Sequence, residues 1–112
     1  MTAKIAFVEL PSPRLAENKA FYAAAFGMAF TDFGPSYACT MTGEVDLGFQ
    51  GDAAEATRAP LTVIEVDDLE AALAAVRAAG AQITRPIFAF PGGRRFHFRD
   101  PSGNELAALK PD

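Results

Sequence analysis

The chain has 112 residues, a formal net charge of −4 and hydrophobic residues at half of its positions. This length suits a single domain with a core that needs no disulfide or structural metal. Nucleic-acid binding is disfavoured because the chain has no run of Lys and Arg to neutralise phosphates, and no apolar run reaches the ~18 residues of a membrane span.

The first half of the chain predicts a strand, a helix and three further strands. Alternating apolar residues predict a strand over 4–10. A helix is predicted over 14–26, with Ser12 as its N-cap, Pro13 in its first turn and Gly27 just after its end. The short strands that follow are predicted over 28–33, 37–42 and 45–50.

The second half repeats this order of elements. A strand is predicted over 61–66 and a helix over 68–79, which Gly80 ends. Asp67 is the predicted N-cap of this helix, and Glu70 completes a capping box. The three strands after this helix are predicted over 82–85 with the region around Phe88, over 95–99 and over 104–109, with a turn at 100–103.

One β-α-β-β-β unit is therefore predicted twice, in modules of about 1–54 and 55–112 within a single domain. Three strands fit between the two predicted helices, whereas a ferredoxin-like chain has only two at that place. A repeated supersecondary unit is a strong indication of architecture. We expect an α+β fold with eight strands.

Alternation along the strands predicts which side chains share the surface that faces away from the helices. Glu9, Glu65 and Glu105 point to that surface, because their neighbours on each strand form the apolar side. His97, the only histidine, points the same way, with Arg95 two residues before it. The apolar side chains predicted to line the same surface are Phe7, Phe49 and Leu109.

Two interpretations of these polar groups remain open. An imidazole titrates near neutral pH, so His97, Glu9 and Glu105 are candidate catalytic residues for acid–base chemistry. Alternatively, Glu9 and Glu105 pair with Arg95 or Arg94 in a buried ion network, since buried charges are usually paired. His97 is then an ordinary hydrogen-bonded strand residue.

Cys39 is the only cysteine, so no disulfide can form within the chain. No neighbouring residue predicts a lowered thiol pKa, and we expect Cys39 to be unreactive. A chain without disulfides suits the reducing cytoplasm, which is the predicted location.

Each half is similar to the β-α-β-β-β module of the vicinal oxygen chelate superfamily, which includes glyoxalase I, extradiol dioxygenases and the bleomycin and fosfomycin resistance proteins. The most specific segment is the turn Asp-Pro-x-Gly-Asn followed by an apolar strand. The resemblance implies an eight-stranded, cup-shaped sheet with outer helices, a small-molecule ligand in the cup and a homodimer. The segments that carry it are 7–11, 20–22, 26–27, 65–69 and 98–106.

The resemblance also implies where a metal would be held. Metal-dependent members place His in the first strand, His at the start of the second module and Glu in the last strand. The matching positions here are Phe7, Leu61 and Ala107. None of these side chains has a lone pair for a divalent ion. We therefore expect no metal at that position and no other cofactor.

The expected function is binding of a small, anionic and partly apolar molecule, with Arg95 and Glu65 among the ligand-binding residues. The alternative is a lyase or isomerase of the glyoxalase type that uses His97 with Glu9 or Glu105, with or without a displaced metal. A third reading is an accessory domain that acts through its dimer surface. No nucleic acid or membrane is expected as a partner.

Overall fold

A computed structural model describes residues 1–112 and contains eight strands and two helices. The predicted order of two successive β-α-β-β-β modules is confirmed. Neither helix is both long and apolar enough to cross a membrane. The elements are β1 Ala3–Pro11, α1 Leu15–Phe26, β2 Thr31–Asp32, β3 Tyr37–Cys39, β4 Asp46–Gln50, β5 Leu61–Val66, α2 Leu69–Ala78, β6 Gln82–Phe90, β7 Gly93–Arg99 and β8 Glu105–Pro111.

The chain divides into two compact units. The N-terminal unit is Phe7–Leu61, and the C-terminal unit is Met1–Ala6 together with Thr62–Asp112. Strands follow the order β2-β3-β4-β1 in the first and β5-β8-β7-β6 in the second. In each unit the strand before the helix pairs in parallel with the last strand, and the other pairs are antiparallel.

This arrangement confirms the α+β class and the eight-stranded mixed sheet. The parallel pair in each module follows from the helix between its strands, because a parallel pair needs a long crossover connection. The division of a single domain into modules of about 1–54 and 55–112 stays a prediction.

The core of the C-terminal unit lies between its sheet and α2. Leu69 and Phe96 are fully buried there, with Val66, Ala72 and Ala108 beside them. Full burial of a large apolar side chain such as Leu69 or Phe96 stabilises the folded state by about 1.5–3 kcal/mol. The helix side of the sheet is therefore apolar, as alternation predicted. The half-buried residues around this core are Ile64, Leu73, Val76, Ile83, Ile87 and Phe98.

The predicted helix caps are partly wrong. Asp68, and not Asp67, caps α2 by accepting a hydrogen bond from the backbone N–H of Ala71 at 3.0 Å. Asp67 instead accepts one from the backbone N–H of Thr2. Ser12 does not cap α1, because its hydroxyl donates to the carbonyl of Leu10.

The helix of the N-terminal unit packs through aromatic rings. The ring of Phe49 lies 5.4 Å from that of Tyr22 on α1 and 5.0 Å from that of Phe30. No side chain of α1 is fully buried within this chain. Phe21 and Phe26 remain 59% and 68% exposed. This helix therefore presents apolar surface to its surroundings.

Candidate functional site

His97 lies in the middle of β7, with neighbours on both sides. It is directly opposite Ala107 on β8 and Arg85 on β6. Side chains directly opposite each other in a sheet project from the same face. We name this surface of the C-terminal unit the His97 face. Its members are Val63 and Glu65 on β5, Glu105, Ala107 and Leu109 on β8, Arg95 and His97 on β7, and Thr84, Arg85, Phe88 and Phe90 on β6.

Two bulges in β6 allow the adjacent residues Thr84 and Arg85 to share this face, and the second restores the alternation by Phe88. The pairing of β6 with β7 shifts by one residue between Ile83 and Arg85, and again between Arg85 and Phe88. In a β-bulge two residues oppose one on the neighbouring strand, which redirects the side chains that follow. Arg85 thereby joins Thr84 opposite His97, while Ile83 stays on the helix side.

One carboxylate oxygen connects His97 to Thr84. Nδ1 of His97 lies 3.1 Å from Oε2 of Glu105. The hydroxyl of Thr84 donates a hydrogen bond of 2.9 Å to the same Oε2. Glu105 is two residues from Ala107, so it reaches His97 along the diagonal between β7 and β8. Strands β6, β7 and β8 thus each contribute one member of this group.

His97 is buried, and one of its ring nitrogens is unsatisfied. The residue is 2% exposed, and Nε2 has no hydrogen-bond partner within the protein. Burial lowers the pKa of His97 below its usual value, and the charge of Arg95 lowers this pKa further. Glu105 acts in the opposite direction without reversing the shift. The imidazole is therefore neutral at physiological pH.

Aromatic rings and guanidinium groups surround this histidine. The ring of Phe88 lies 5.8 Å from that of His97. The Arg85 guanidinium carbon is 3.5 Å from the Phe88 ring centre, and that of Arg95 is 5.3 Å from Phe88 and 5.4 Å from Phe90. Cations over aromatic faces are attracted by the ring quadrupole. Arg95 itself is only 5% exposed.

Arg94 lies on the opposite side of β7. It donates a hydrogen bond of 2.7 Å to Glu70 on α2, and this contact lowers the pKa of Glu70. Adjacent arginines on one strand thus serve different surfaces, because strand side chains alternate. Arg94 therefore has no place on the His97 face.

Glu9 belongs to a second buried polar group, in the N-terminal unit. It is 1% exposed and accepts a hydrogen bond of 2.9 Å from the Tyr37 hydroxyl. Gly48, directly opposite Glu9 on β4, leaves the space that the phenol occupies. Burial, followed by the charges of Asp46 and Glu9, raises the pKa of the nearby Cys39 thiol to about 11. The predicted unreactive state of Cys39 agrees with this environment.

The remaining predicted ligand-binding residues have different environments. Leu109 is 6% exposed on the His97 face. Glu65 is on the same face and forms an ion pair of 3.7 Å with Lys4. Phe7 is opposite Asp46, on the side of its sheet that carries Glu9. The predicted place of Phe49 in the lining is wrong, because Phe49 packs against α1 on the other side of β4.

The residues present do not fit the metal site that the superfamily implies. Leu61 and Ala107 are fully buried apolar side chains, and Phe7 is an aromatic hydrocarbon. No group of three or more His, Cys, Asp or Glu side chains in residues 1–112 is arranged to hold a metal ion. No step that uses a metal is therefore assigned to this chain.

A cleft of about 330 Å³ lies elsewhere in the C-terminal unit. Its lining carries charges of both signs, from Lys4, Lys110, Glu65 and Asp67. His97, Glu105 and Arg95 do not line it. The other lining residues are Thr2, Ala3, Val66 and Pro111.

The sequence alone did not identify Thr84, Arg85 or Tyr37 as site residues. Strict alternation cannot place Thr84 and Arg85 on one face, since adjacent strand residues point in opposite directions. The one available signal was Pro86, because proline inside a strand is confined to edge strands and bulges.

The comparisons with known proteins give the family and the fold. The model of the Glyoxalase/Bleomycin resistance protein/Dioxygenase superfamily matches residues 4–108. No curated protein matches the chain.

Three solved structures illustrate the likeness. An NAD-dependent benzaldehyde dehydrogenase from Legionella pneumophila has a TM-score of 0.78 at 16% identity, covering 95% of this chain and 98% of that one. A methylmalonyl-CoA epimerase from Mycobacterium tuberculosis has a TM-score of 0.76 at 16% identity, covering 96% and 87%. The Mn(II)-bound glyoxalase from Novosphingobium aromaticivorans has a TM-score of 0.63 at 21% identity, covering 96% and 38%. At these identities the likeness to solved structures shows the fold alone. The family match covers residues 4–108, so the chain belongs to the Glyoxalase/Bleomycin resistance protein/Dioxygenase superfamily.

Proposed function

We propose that this protein binds a small, partly apolar molecule with an anionic end on the His97 face. The observation that carries the proposal is the buried Nε2 of His97, which has no hydrogen-bond partner within the protein. Buried polar atoms are nearly always satisfied, and an exception needs an explanation such as a ligand contact.

The surroundings of His97 support the chemistry of that ligand. Phe88 and Leu109 supply apolar contact surface on the same face. Arg95 supplies a guanidinium group, whose fork of N–H donors suits a carboxylate or phosphate. Glu65 lies on the far side of Leu109 and would contact a polar group at the other end of the ligand.

The test compares a matched pair of probes, phenylacetate and its neutral amide, by calorimetric titration. Arg95→Ala should weaken phenylacetate by roughly 1.5–3 kcal/mol, the range for a charge-assisted hydrogen bond, and leave the amide nearly unaffected. Arg94→Ala is the control, because Arg94 pairs with Glu70 on the helix side.

A different result would support the ion-network interpretation. If Arg95 acts only as a counter-ion for a carboxylate of this chain, Arg95→Ala lowers the thermal unfolding midpoint. The ratio of phenylacetate to amide affinity then stays unchanged. Equal loss of both probes in the Arg94→Ala control would also count against a specific role for Arg95.

A second candidate is a lyase or isomerase of the glyoxalase type. The contact between Nδ1 of His97 and Glu105 favours it, because a base oriented by a carboxylate is the usual arrangement for general-base catalysis. His97 would remove a proton from carbon next to a carbonyl, and Glu105 would orient the ring. The role of Glu9 in such a reaction stays a prediction.

Proton exchange in deuterated water tests this candidate. The protein is incubated with a panel of 2-hydroxy ketones, and loss of the proton next to the carbonyl is followed by NMR. Exchange catalysed by the wild type and abolished by His97→Gln supports the enzyme. No exchange above the rate of the His97→Gln variant across the panel would leave binding as the function.

We also propose that the protein is a cytoplasmic homodimer. The exposed Phe21 and Phe26 of α1 are apolar surface of the kind that association covers. The lone, buried Cys39 suits a reducing compartment. Light scattering at micromolar concentration tests the dimer, and a mass of a single chain, 11.9 kDa, would contradict it.

A further inference from the structure

We infer that Thr84 and Glu105 fix the proton of neutral His97 on Nδ1, so that Nε2 is a hydrogen-bond acceptor and the ligand of the His97 face must present a hydroxyl or N–H donor to it. Thr84 is then a positioning residue, which acts on the ligand through Glu105 and His97. The ligand class rests on the proposed function, whereas the position of the proton does not.

The first step concerns Oε2 of Glu105. This oxygen accepts a hydrogen bond from the Thr84 hydroxyl at 2.9 Å and lies 3.1 Å from Nδ1 of His97. A carboxylate only accepts hydrogen bonds. A favourable contact with Nδ1 therefore requires that Nδ1 carries the proton and donates it.

The second step concerns the other ring nitrogen. A neutral imidazole has one N–H, so a proton on Nδ1 leaves a lone pair on Nε2. Nε2 is buried and has no hydrogen-bond partner in the protein. A ligand group that hydrogen-bonds to Nε2 must therefore donate a proton, as a hydroxyl does. A ketone oxygen in the same place would bring its own lone pair against the lone pair of Nε2, which is unfavourable.

The third step explains why Thr84 matters. The Glu105 side chain is 24% exposed, so water competes for its oxygens. The Thr84 hydroxyl holds Oε2 from the side of β6, where the bulge between Ile83 and Arg85 leaves both Thr84 and Arg85 opposite His97. Without this hydroxyl, Glu105 is free to rotate toward solvent, and Nδ1 loses its acceptor.

The chain offers a direct measurement of the proton position, because His97 is its only histidine. In protein labelled with ¹⁵N-histidine at about pH 7.5, above the usual histidine pKa, long-range ¹H–¹⁵N spectra show which nitrogen is protonated. We expect a single Nδ1–H species, with Nε2 resonating as an unprotonated nitrogen. A predominant Nε2–H species, or an even mixture, would overturn the inference.

Two substitutions separate positioning from packing. Thr84→Val keeps the shape and removes the hydroxyl, and it should convert the single species into a mixture of the two N–H forms. Thr84→Ser restores the hydroxyl and should restore the single species. Glu105→Gln is the second variant, because an amide can donate as well as accept, and it should also give a mixture. An unchanged spectrum in both Thr84→Val and Glu105→Gln would show that these two residues do not fix the proton on Nδ1.

Three related acids test the ligand class: mandelate, with a hydroxyl donor, benzoylformate, with a carbonyl acceptor, and phenylacetate, with neither. Mandelate should bind at least about tenfold more tightly than benzoylformate, the effect of one hydrogen bond. Thr84→Val should reduce this ratio, and Thr84→Ser should retain it. Equal or stronger binding of benzoylformate would overturn the donor requirement while leaving anion binding intact. Failure of all three acids to bind would count against the proposed function and the ligand class together, and the position of the proton would then be decided by the ¹⁵N spectra.

Discussion

Ala107 lies directly opposite His97 in the antiparallel pair of β8 and β7, and both side chains are buried. The smallest common side chain with a Cβ thus stands beside the only imidazole of the chain. The superfamily resemblance places a glutamate ligand at this position of the last strand. In this protein the polar groups lie one strand away, on β7, and two residues earlier on β8, at Glu105.

The space beside His97 predicts that Ala107→Val is destabilising. Ala107 has no exposed surface, so two added methyl groups must displace the neighbouring ring or strand. We expect a loss of about 1–3 kcal/mol in the free energy of unfolding, measured with urea, as for other overpacked cores. Ala89→Val is the matched control, since Ala89 is exposed on β6, and it should change this free energy by less than about 0.5 kcal/mol.

The residues at the three positions where the superfamily resemblance implies metal ligands predict the metal content of the protein. Phe7, Leu61 and Ala107 offer no donor atom, so protein purified without chelators should contain no stoichiometric divalent metal at their positions. Elemental analysis measures this. A full equivalent of Zn, Mn, Ni or Fe bound through neighbours of these three residues would contradict the prediction. Metal that is lost on His97→Gln would instead indicate a displaced site on the His97 face.

The Tyr37 side chain leaves no room for a Cβ at position 48. A Cβ at position 48 would lie 2.6 Å from the Tyr37 hydroxyl oxygen, which is bonded to Glu9. Gly48→Ala should therefore lower the free energy of unfolding by about 1–3 kcal/mol. In a Tyr37→Phe background the oxygen is absent, and the same substitution should cost at least about 0.5 kcal/mol less. Additive effects of the two changes would show that this contact does not limit position 48.

Cys39 should be unreactive in the folded protein. Its pKa of about 11 follows from burial and from the charges of Asp46 and Glu9. Only about one thiol in a thousand is then ionised at pH 8, and the thiolate is the reactive form. Native protein should react with a disulfide reagent at least about a hundredfold more slowly than urea-unfolded protein. Comparable rates in the two states would contradict the burial of this thiol.

His97 predicts how stability depends on pH. Its pKa is lowered in the folded state, so the unfolded chain binds the proton more tightly. The free energy of unfolding should be highest above the unfolded value of about 6.5 and should fall as the pH drops through that value toward the lower folded pKa. The depressed pKa values of Asp46 and Asp100 affect stability only near and below pH ~4, which separates the two effects.

Urea unfolding at several pH values from about 7.5 to about 5 tests this dependence in wild type and in His97→Gln. The wild-type slope in this range should be lost in the variant. The charged groups that face His97 are Glu105, Arg95 and Arg85. A slope that persists in His97→Gln would assign the effect to other groups.

Much of the fold was predictable because the alternation of apolar residues and the repeated order of elements each indicate a single structure. The strand Leu61–Val66 has the predicted bounds, and the grouping of Arg95 with His97 follows from alternation along β7. The repeat of a helix followed by three strands predicted the paired modules. These features depend on local periodicity, which the sequence displays directly.

The face of Phe49 was within reach of the sequence, because alternation along β4 separates its apolar side from its other side. On β1 the apolar set packs toward the helix, and the same rule applied to β4 would have placed Phe49 against Tyr22. The partners of His97 were incompletely predicted for a different reason. Each bulge in β6 reverses the alternation, and no residue type specifies a bulge with certainty, although Pro86 lies within the second one, between Arg85 and Phe88.

The two bulges of β6 also bear on how this chain avoids aggregation. β6 has a neighbouring strand only on its β7 side, and its other backbone groups face outward. A long, regular strand in that position would be a template for an unfolded segment of another copy. Two interruptions of the hydrogen-bond ladder and the missing N–H of Pro86 leave no uninterrupted stretch for such pairing. The irregularity that leaves Thr84 and Arg85 together opposite His97 is therefore also a feature that disfavours edge-to-edge pairing between copies.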